Sequence, residues 1–239
     1  MKRDILLLSL CLCVLVGVSW LDSGSSEPVF APQEDGEGWT LVLDAGHGGE
    51  DGGASTAAGE RESELNLAIV LKTQALMAFL GEEPRLTRDR DVSLHSDDAQ
   101  TIRQKKVSDL KNRVAMVEST PNALLISVHQ NHFTDPRYSG SQVFFNGGDQ
   151  NRQWGERSQE IFQRTLAPDN DRKAKPMPDG IYLFEHISCP AILVECGFLS
   201  NGEEAALLGT DVYQRKVAMA LAGSCFVGLE LPPEIGGGT

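Results

Sequence analysis

The sequence predicts an α/β fold: a single domain with a mostly parallel or mixed sheet flanked by helices on both faces. Two patterns lead to it. Short apolar runs, Thr40–Leu43, Ala123–Val128 and Pro190–Val194, have the length and sharp boundaries of buried strands. Stretches with helical spacing of apolar residues separate them, and alternating strands and helices point to a sheet covered by helices. At 239 residues, the chain is long enough for one domain with a sizeable core plus peripheral segments.

The N-terminus differs in kind. Met1-Lys2-Arg3 is a basic start, and Ile5 to Trp20 is almost wholly apolar. Residues 1–21 therefore read as a signal peptide or an N-terminal membrane anchor, outside the fold. Basic residues ahead of the apolar run place the body of the protein outside the cytoplasm. Residues 22–38 are rich in Ser, Gly, Pro and acid and read as a flexible linker. The folded domain is expected over residues 39–230, followed by a Pro/Gly-rich disordered tail at 231–239.

Within the domain, Thr40–Leu43 is the first strand and runs into a glycine-dense loop carrying His47. A helix is expected over Ser63–Leu80, with Leu67, Val70, Leu71, Ala75, Ala78 and Phe79 on its apolar side and Gly81 closing it. Pro84–Arg88 is a short strand, and Asp91–Lys106 a polar loop. Val107–Thr120 is a second helix with Leu110, Val114 and Val117 on one face. Ala123–His129 is a buried strand, and Gly140–Asn146 another. Asn151–Leu166 is a helix built on Trp154, Ile161, Phe162 and Leu166. Gly180–Phe184 and Pro190–Glu195 are strands. Asn201 caps a short helix reaching Leu208. Asp211, with Gln214 completing a capping box, starts the last helix, whose stripe is Val217, Leu221, Cys225 and Leu229.

The net charge of −13 and a pI near 4.8 exclude a nucleic-acid footprint. Arg103, Lys105 and Lys106 are the nearest thing to a basic patch and read as a solvated face. The five cysteines do not form a disulfide framework. Cys11 and Cys13 sit in the apolar segment. Cys189, Cys196 and Cys225 read as small buried residues, with Cys189–Cys196 the one pair an exported protein could form.

His47 alone is ambiguous between a structural residue and a ligand or base; its flanking glycines let backbone or ligand come close. Three buried strands lead into a metal- or proton-competent residue: His47, His129 and Glu195. Glu62 stands at the start of the first helix. If the strands run parallel, their ends share one sheet edge, where these side chains converge. Two histidines and a carboxylate make a catalytic zinc set with a position left for water. A second carboxylate then serves as general base. The helical zinc motif with histidines four apart is absent.

The chain resembles the zinc-dependent N-acetylmuramoyl-L-alanine amidases, which cleave bacterial peptidoglycan. The resemblance rests on LDAGHGGEDGGA at Leu43–Ala54, ESELNLA at Glu62–Ala68, TRD at Thr87–Asp89, LLISVHQN at Leu124–Asn131, GSQVFF at Gly140–Phe145 and PAILVECGFLSNGEEAALL at Pro190–Leu208. It implies His47, Glu62 and His129 as ligands of Zn2+ and Glu195 as the catalytic glutamate. It further implies hydrolysis of the amide between the lactyl group of N-acetylmuramic acid and L-alanine of the stem peptide. KVSDLKNRV at Lys106–Val114, RKAKPMPDGIYLF at Arg172–Phe184 and LLGTDVYQRKVA at Leu207–Ala218 resemble the germination-type, spore-cortex members. The expected partner is therefore the peptidoglycan of cortex or cell wall, with an activating protein as a further candidate. Nucleic acid is excluded, and membrane is met only through the N-terminal segment. The rival readings are a vegetative wall amidase, a stem-peptide peptidase, and a non-catalytic wall-binding protein with a structural zinc.

Around the site, Glu64 is expected at the surface, His132 at the rim, and Cys196 in the core on the opposite face to Glu195. Asp51 and Asn131 are candidates to orient a ligand or contact substrate. Arg88 and Arg113 are expected to pair with nearby acids rather than hold anionic substrate groups. His95 and His186 are expected in surface loops.

Overall fold

The computed structural model describes residues 38–232. The expected signal or anchor, nearly all of the linker, and residues 233–239 of the tail lie outside the described residues. The expected tail is corrected at its start, where Leu231 is buried in the core and its carbonyl accepts from Trp39 Nε1 at 2.7 Å. Among the described residues, no helix is long and apolar enough to cross a membrane.

The elements follow in order: β1 (Thr40–Ala45), α1 (Glu62–Phe79), β2 (Arg85–Leu86), α2 (Ile102–Glu118), β3 (Ala123–Asn131), β4 (Gln142–Phe145), α3 (Asp149–Leu166), β5 (Lys175–Pro176), α4 (Tyr182–Glu185), β6 (Ala191–Phe198), α5 (Gly202–Leu208) and α6 (Asp211–Leu229). They form a six-stranded mixed sheet in the order β2-β1-β3-β6-β4-β5. The first four of these strands run parallel, and β4 pairs antiparallel with β6. The C-terminal ends of β1, β3 and β6 therefore share one edge, where α/β folds place ligands.

Strand alternation divides the core. Leu41, Leu43, Leu124, Ile126, Ile192 and Val194 pack under α1, α3 and α6. Val42, Leu125, Ala191 and Leu193 face the other way, against α2 and α4. Both faces of the central strands are buried, which is why they read as continuous apolar runs.

Four local expectations are corrected. The helix α2 begins at Ile102, not Val107, because Thr101 accepts from the Gln104 amide and the Gln104 side chain returns a bond to the Thr101 amide. Residues 182–185 are a helical turn, where a strand was expected; Leu183 and Phe184 still bury their side chains. The last helix is capped by Thr210, whose hydroxyl accepts from the Tyr213 amide; Gln214 instead bonds Lys72 and the Leu208 carbonyl. The buried face of α1 is Glu62, Leu65, Asn66, Ile69, Val70, Thr73 and Met77, whereas Phe79 is 86% exposed. Polar residues on that stripe hid it: Asn66 reaches the Gly46 carbonyl and Thr73 the Ile69 carbonyl.

The three body cysteines are free thiols, with Cys196 and Cys225 buried, so Cys189 and Cys196 are not paired.

Candidate metal centre

The site is assembled at the shared strand edge. His47 lies just beyond β1, His129 within β3, and Glu62 at the first position of α1. His129 and Glu195 are register partners on neighbouring parallel strands. One donor atom from each of His47, Glu62 and His129 falls within 4.8 Å of the others. Glu62 Oε1 stands 3.0 Å from His129 Nδ1 and 3.3 Å from His47 Nε2. The imidazoles meet edge-to-face, with ring centroids 5.0 Å apart.

Backbone and neighbouring side chains hold this group in place. His47 has φ 61°, a left-handed conformation uncommon for a residue with a Cβ. Its Nδ1 faces Asp51 Oδ2 at 3.1 Å, which leaves Nε2 turned toward Glu62. Glu62 Oε2 accepts from the Ala54 amide at 2.9 Å, and Oε1 from the Gln130 amide at 3.1 Å. A Cβ on Gly46 would sit 2.2 Å from the His129 ring, and one on Gly53 would sit 2.5 Å from Glu62 Oε2 and 2.8 Å from His47. Gly48 and Gly49 have a different reason: Cβ atoms there would meet the Val92 carbonyl at 2.3 Å and the Ser93 amide at 2.7 Å. Close approach of backbone, not of ligand, requires those two glycines.

Beneath the His47 loop lie two buried arginines. Arg113 pairs with Asp44 and with Asp109, and donates to the carbonyls of Ala45 and His47. Arg88 donates to the carbonyls of Ala45, Gly46, Ser63 and Arg90. The expectation of acid pairing thus holds for Arg113; Arg88 uses backbone carbonyls instead. Asp44 escaped notice in the sequence, yet a carboxylate inside LVLDA is itself the signal: a buried acid needs a cation and donors. It accepts from Ser127 and Thr87 at 2.6 Å and 2.7 Å. Burial pushes its carboxyl up, but the Arg113 charge and these hydroxyls outweigh that and hold it at about 2.

The electrostatics suit a cation. Burial opposes charge at Glu62, but the facing histidines pull its carboxyl well below the usual range. Burial likewise disfavours a charged His47, yet Asp51 and Glu62 raise its ring to about 9. Carboxylates that favour a proton on the imidazole favour a metal ion in its place. Two imidazoles and a carboxylate are a donor set that zinc accepts. Glu195 differs from Glu62. Its Oε2 is buried with no hydrogen-bond partner among the described residues, and burial pushes its carboxyl up to about 7.

The remaining sequence candidates lie outside the group. His132 is exposed, and Glu64 is exposed and paired with Arg61. His95 bonds Ser93, and exposed His186 stacks on Tyr182. Asn131 is half-buried at the end of β3.

A family model described as N-acetylmuramoyl-L-alanine amidase matches residues 41–225. The chain is 34% identical over 185 residues to the germination-specific N-acetylmuramoyl-L-alanine amidase of Bacillus subtilis, covering 77% of each chain. It is 27% identical to the N-acetylmuramoyl-L-alanine amidase AmiA of Escherichia coli, over 84% of this chain and 78% of that one. Among solved structures, the CwlD amidase of Clostridioides difficile, in complex with the GerS lipoprotein, superposes with a TM-score of 0.75 at 37% identity, over 79% of this chain and 96% of that one.

Proposed function

This chain belongs to the N-acetylmuramoyl-L-alanine amidase family, and on that premise we propose how its own residues hydrolyse the amide between the lactyl group of N-acetylmuramic acid and L-alanine. His47, Glu62 and His129 hold a zinc ion, and Glu195 is the general base. The observation that carries this reading is Glu195 itself: a buried carboxylate oxygen with no hydrogen-bond partner among the described residues, in register with His129 and beside three converging donors.

Bound zinc supplies a Lewis acid for the scissile carbonyl and lowers the pKa of water. Glu195, with its carboxyl raised toward neutrality by burial, takes a proton from the attacking water and returns it to the leaving amine of L-alanine. Asp51 keeps His47 in one tautomer and one orientation. A structural zinc would be closed by four protein ligands; the donor group here has three members among the described residues, which favours the catalytic reading.

The similarity to a germination-specific amidase supports a role in spore cortex maturation and germination. The complex formed by the CwlD relative supports a protein partner for this chain as well. The substrate is outside the cytoplasmic membrane, and the apolar segment at residues 5–20 serves as the export signal or anchor that reaches it, with residues 22–38 as linker to a catalytic domain that begins at residue 39. Digestion of purified sacculi, with and without a chelator, tests the proposal. New L-alanine amino groups should appear, and chelation should suppress them; release of any other amino group would point to a peptidase.

A further inference from the structure

We propose that Arg172, held on an aromatic shelf beside the candidate centre, binds a free carboxylate of the stem peptide. The proposal rests on the amidase reading and extends it to recognition of the peptide.

The shelf grows from the strands that carry the site. Phe198 ends β6, three residues beyond Glu195, and its ring is buried at 3% exposure. Tyr138, 46% exposed, stacks over it with centroids 6.2 Å apart. Phe133, just past β3, meets Tyr138 edge-on at 5.0 Å. The Arg172 guanidinium carbon lies 4.8 Å from the Phe198 centroid and 5.7 Å from that of Tyr138. Its Nε donates to the Ser139 carbonyl at 3.1 Å. Two rings and one backbone acceptor thus fix the guanidinium plane.

The two Nη groups have no hydrogen-bond partner among the described residues. Arg137, Arg152, Arg157 and Arg215 are paired with carboxylates. The other arginines without a side-chain partner among the described residues, Arg85, Arg90, Arg103 and Arg164, are exposed, whereas Arg172 is half-buried. Arg172 instead lines a cleft of about 600 Å³ with Tyr138, Gly140, Asn170 and Asn201. The buried acid of that wall, Glu204, accepts from the amides of Gly140 and Phe198 and lies within the field of the Arg172 charge, but makes no hydrogen bond to it. A half-buried fork held by two rings, with free Nη donors, matches a carboxylate bidentately. Asp169, Asp171 and Glu203 at the rim disfavour a polyanion, so the surroundings suit a zwitterionic peptide residue better than a multiply charged one.

Reach agrees with this ligand. Phe198 is three residue steps along the strand from Glu195, on the order of 10 Å. An extended peptide advances roughly 3.3 Å per residue, so the second or third residue from the scissile bond arrives at the shelf.

The test is binding of a tripeptide that begins with L-alanine and carries free carboxylates at its second and third residues, against the same tripeptide with both as carboxamides. Neither contains the bond the amidase cuts, so zinc-loaded full chain can be titrated calorimetrically without turnover. The wild type should prefer the free carboxylates by about tenfold or more. Arg172→Gln should equalise the two, and Arg172→Lys should restore part of the preference. Equal or absent binding of both peptides by the wild type overturns the proposal. So does a preference that survives Arg172→Gln, or an equal loss for both peptides in that variant, which would mean that the guanidinium only props Tyr138. Competition by peptide-free glycan alone would assign the shelf to sugar and also overturn it. Sacculus digestion separates the two levels: no L-alanine amino groups with the carboxylate preference intact sinks the amidase reading, and the converse sinks only the subsite.

Discussion

The backbone carbonyl of His47 accepts a 2.7 Å hydrogen bond from Nη2 of Arg113, so a buried guanidinium from α2 holds a left-handed residue at the end of β1. The same guanidinium pairs with Asp44 and donates to the Ala45 carbonyl. A strained φ persists when its surroundings over-determine it, and here they do. Arg113 grips the carbonyl, Asp51 the ring, and Arg88 the two preceding carbonyls.

Removing Arg113 strands Asp44 in the core without its counter-charge. Arg113→Met should therefore destabilise the metal-free protein by about 3–5 kcal/mol in urea unfolding. Pairing it with Asp44→Leu should recover part of that loss, because no uncompensated carboxylate is then buried. An unchanged midpoint in the single variant would remove the clamp from the account.

Asp44 also sets a pH dependence. Its carboxyl is held at about 2 in the folded protein, below its ordinary 3.8. The contribution of that depressed group is complete above about pH 4 and is lost as pH falls toward about 2. Unfolding free energies of the wild type and of Asp44→Asn, measured across pH 2–6, should differ in slope only within that window. Parallel profiles would contradict the assignment.

The fit of Gly46 against His129 gives a third test. A methyl group would have to sit 2.2 Å from the His129 ring. Since misplacing a catalytic group by about 1 Å can cost on the order of 100-fold in rate, Gly46→Ala should lose at least that much activity. It should also weaken zinc binding in a chelator competition, while far-UV circular dichroism stays that of the wild type. Normal zinc affinity in this variant would mean that the His129 ring does not hold the metal.

Much of the fold was legible because the central strands are buried on both faces and read as unbroken apolar runs. The same runs led to His47, His129 and Glu195, although β3 and β6 continue past the last two, to Asn131 and Phe198. Other features were hidden by polar residues doing interior work. Asn66 and Thr73 made the core face of α1 look like its surface, and the apolar Phe79 made an exposed face look buried. Leu183 and Phe184 bury equally well from a helical turn as from a strand, so composition at 180–184 did not distinguish them. The start of α2 depended on a reciprocal cap between Thr101 and Gln104 inside a polar stretch with no apolar period to mark it. Arg88 was misassigned because its acceptors are backbone carbonyls, which carry no sequence signature.

The central claim is that Glu195 moves protons and does not hold the metal. The most direct measurement is the rate of L-alanine amino-group release from sacculi by Glu195→Gln, alongside its bound zinc. The account predicts a rate lower by about 10²–10⁴ with zinc content and affinity as in the wild type. A rate within a few-fold of the wild type, or loss of zinc in parallel with activity, would contradict it.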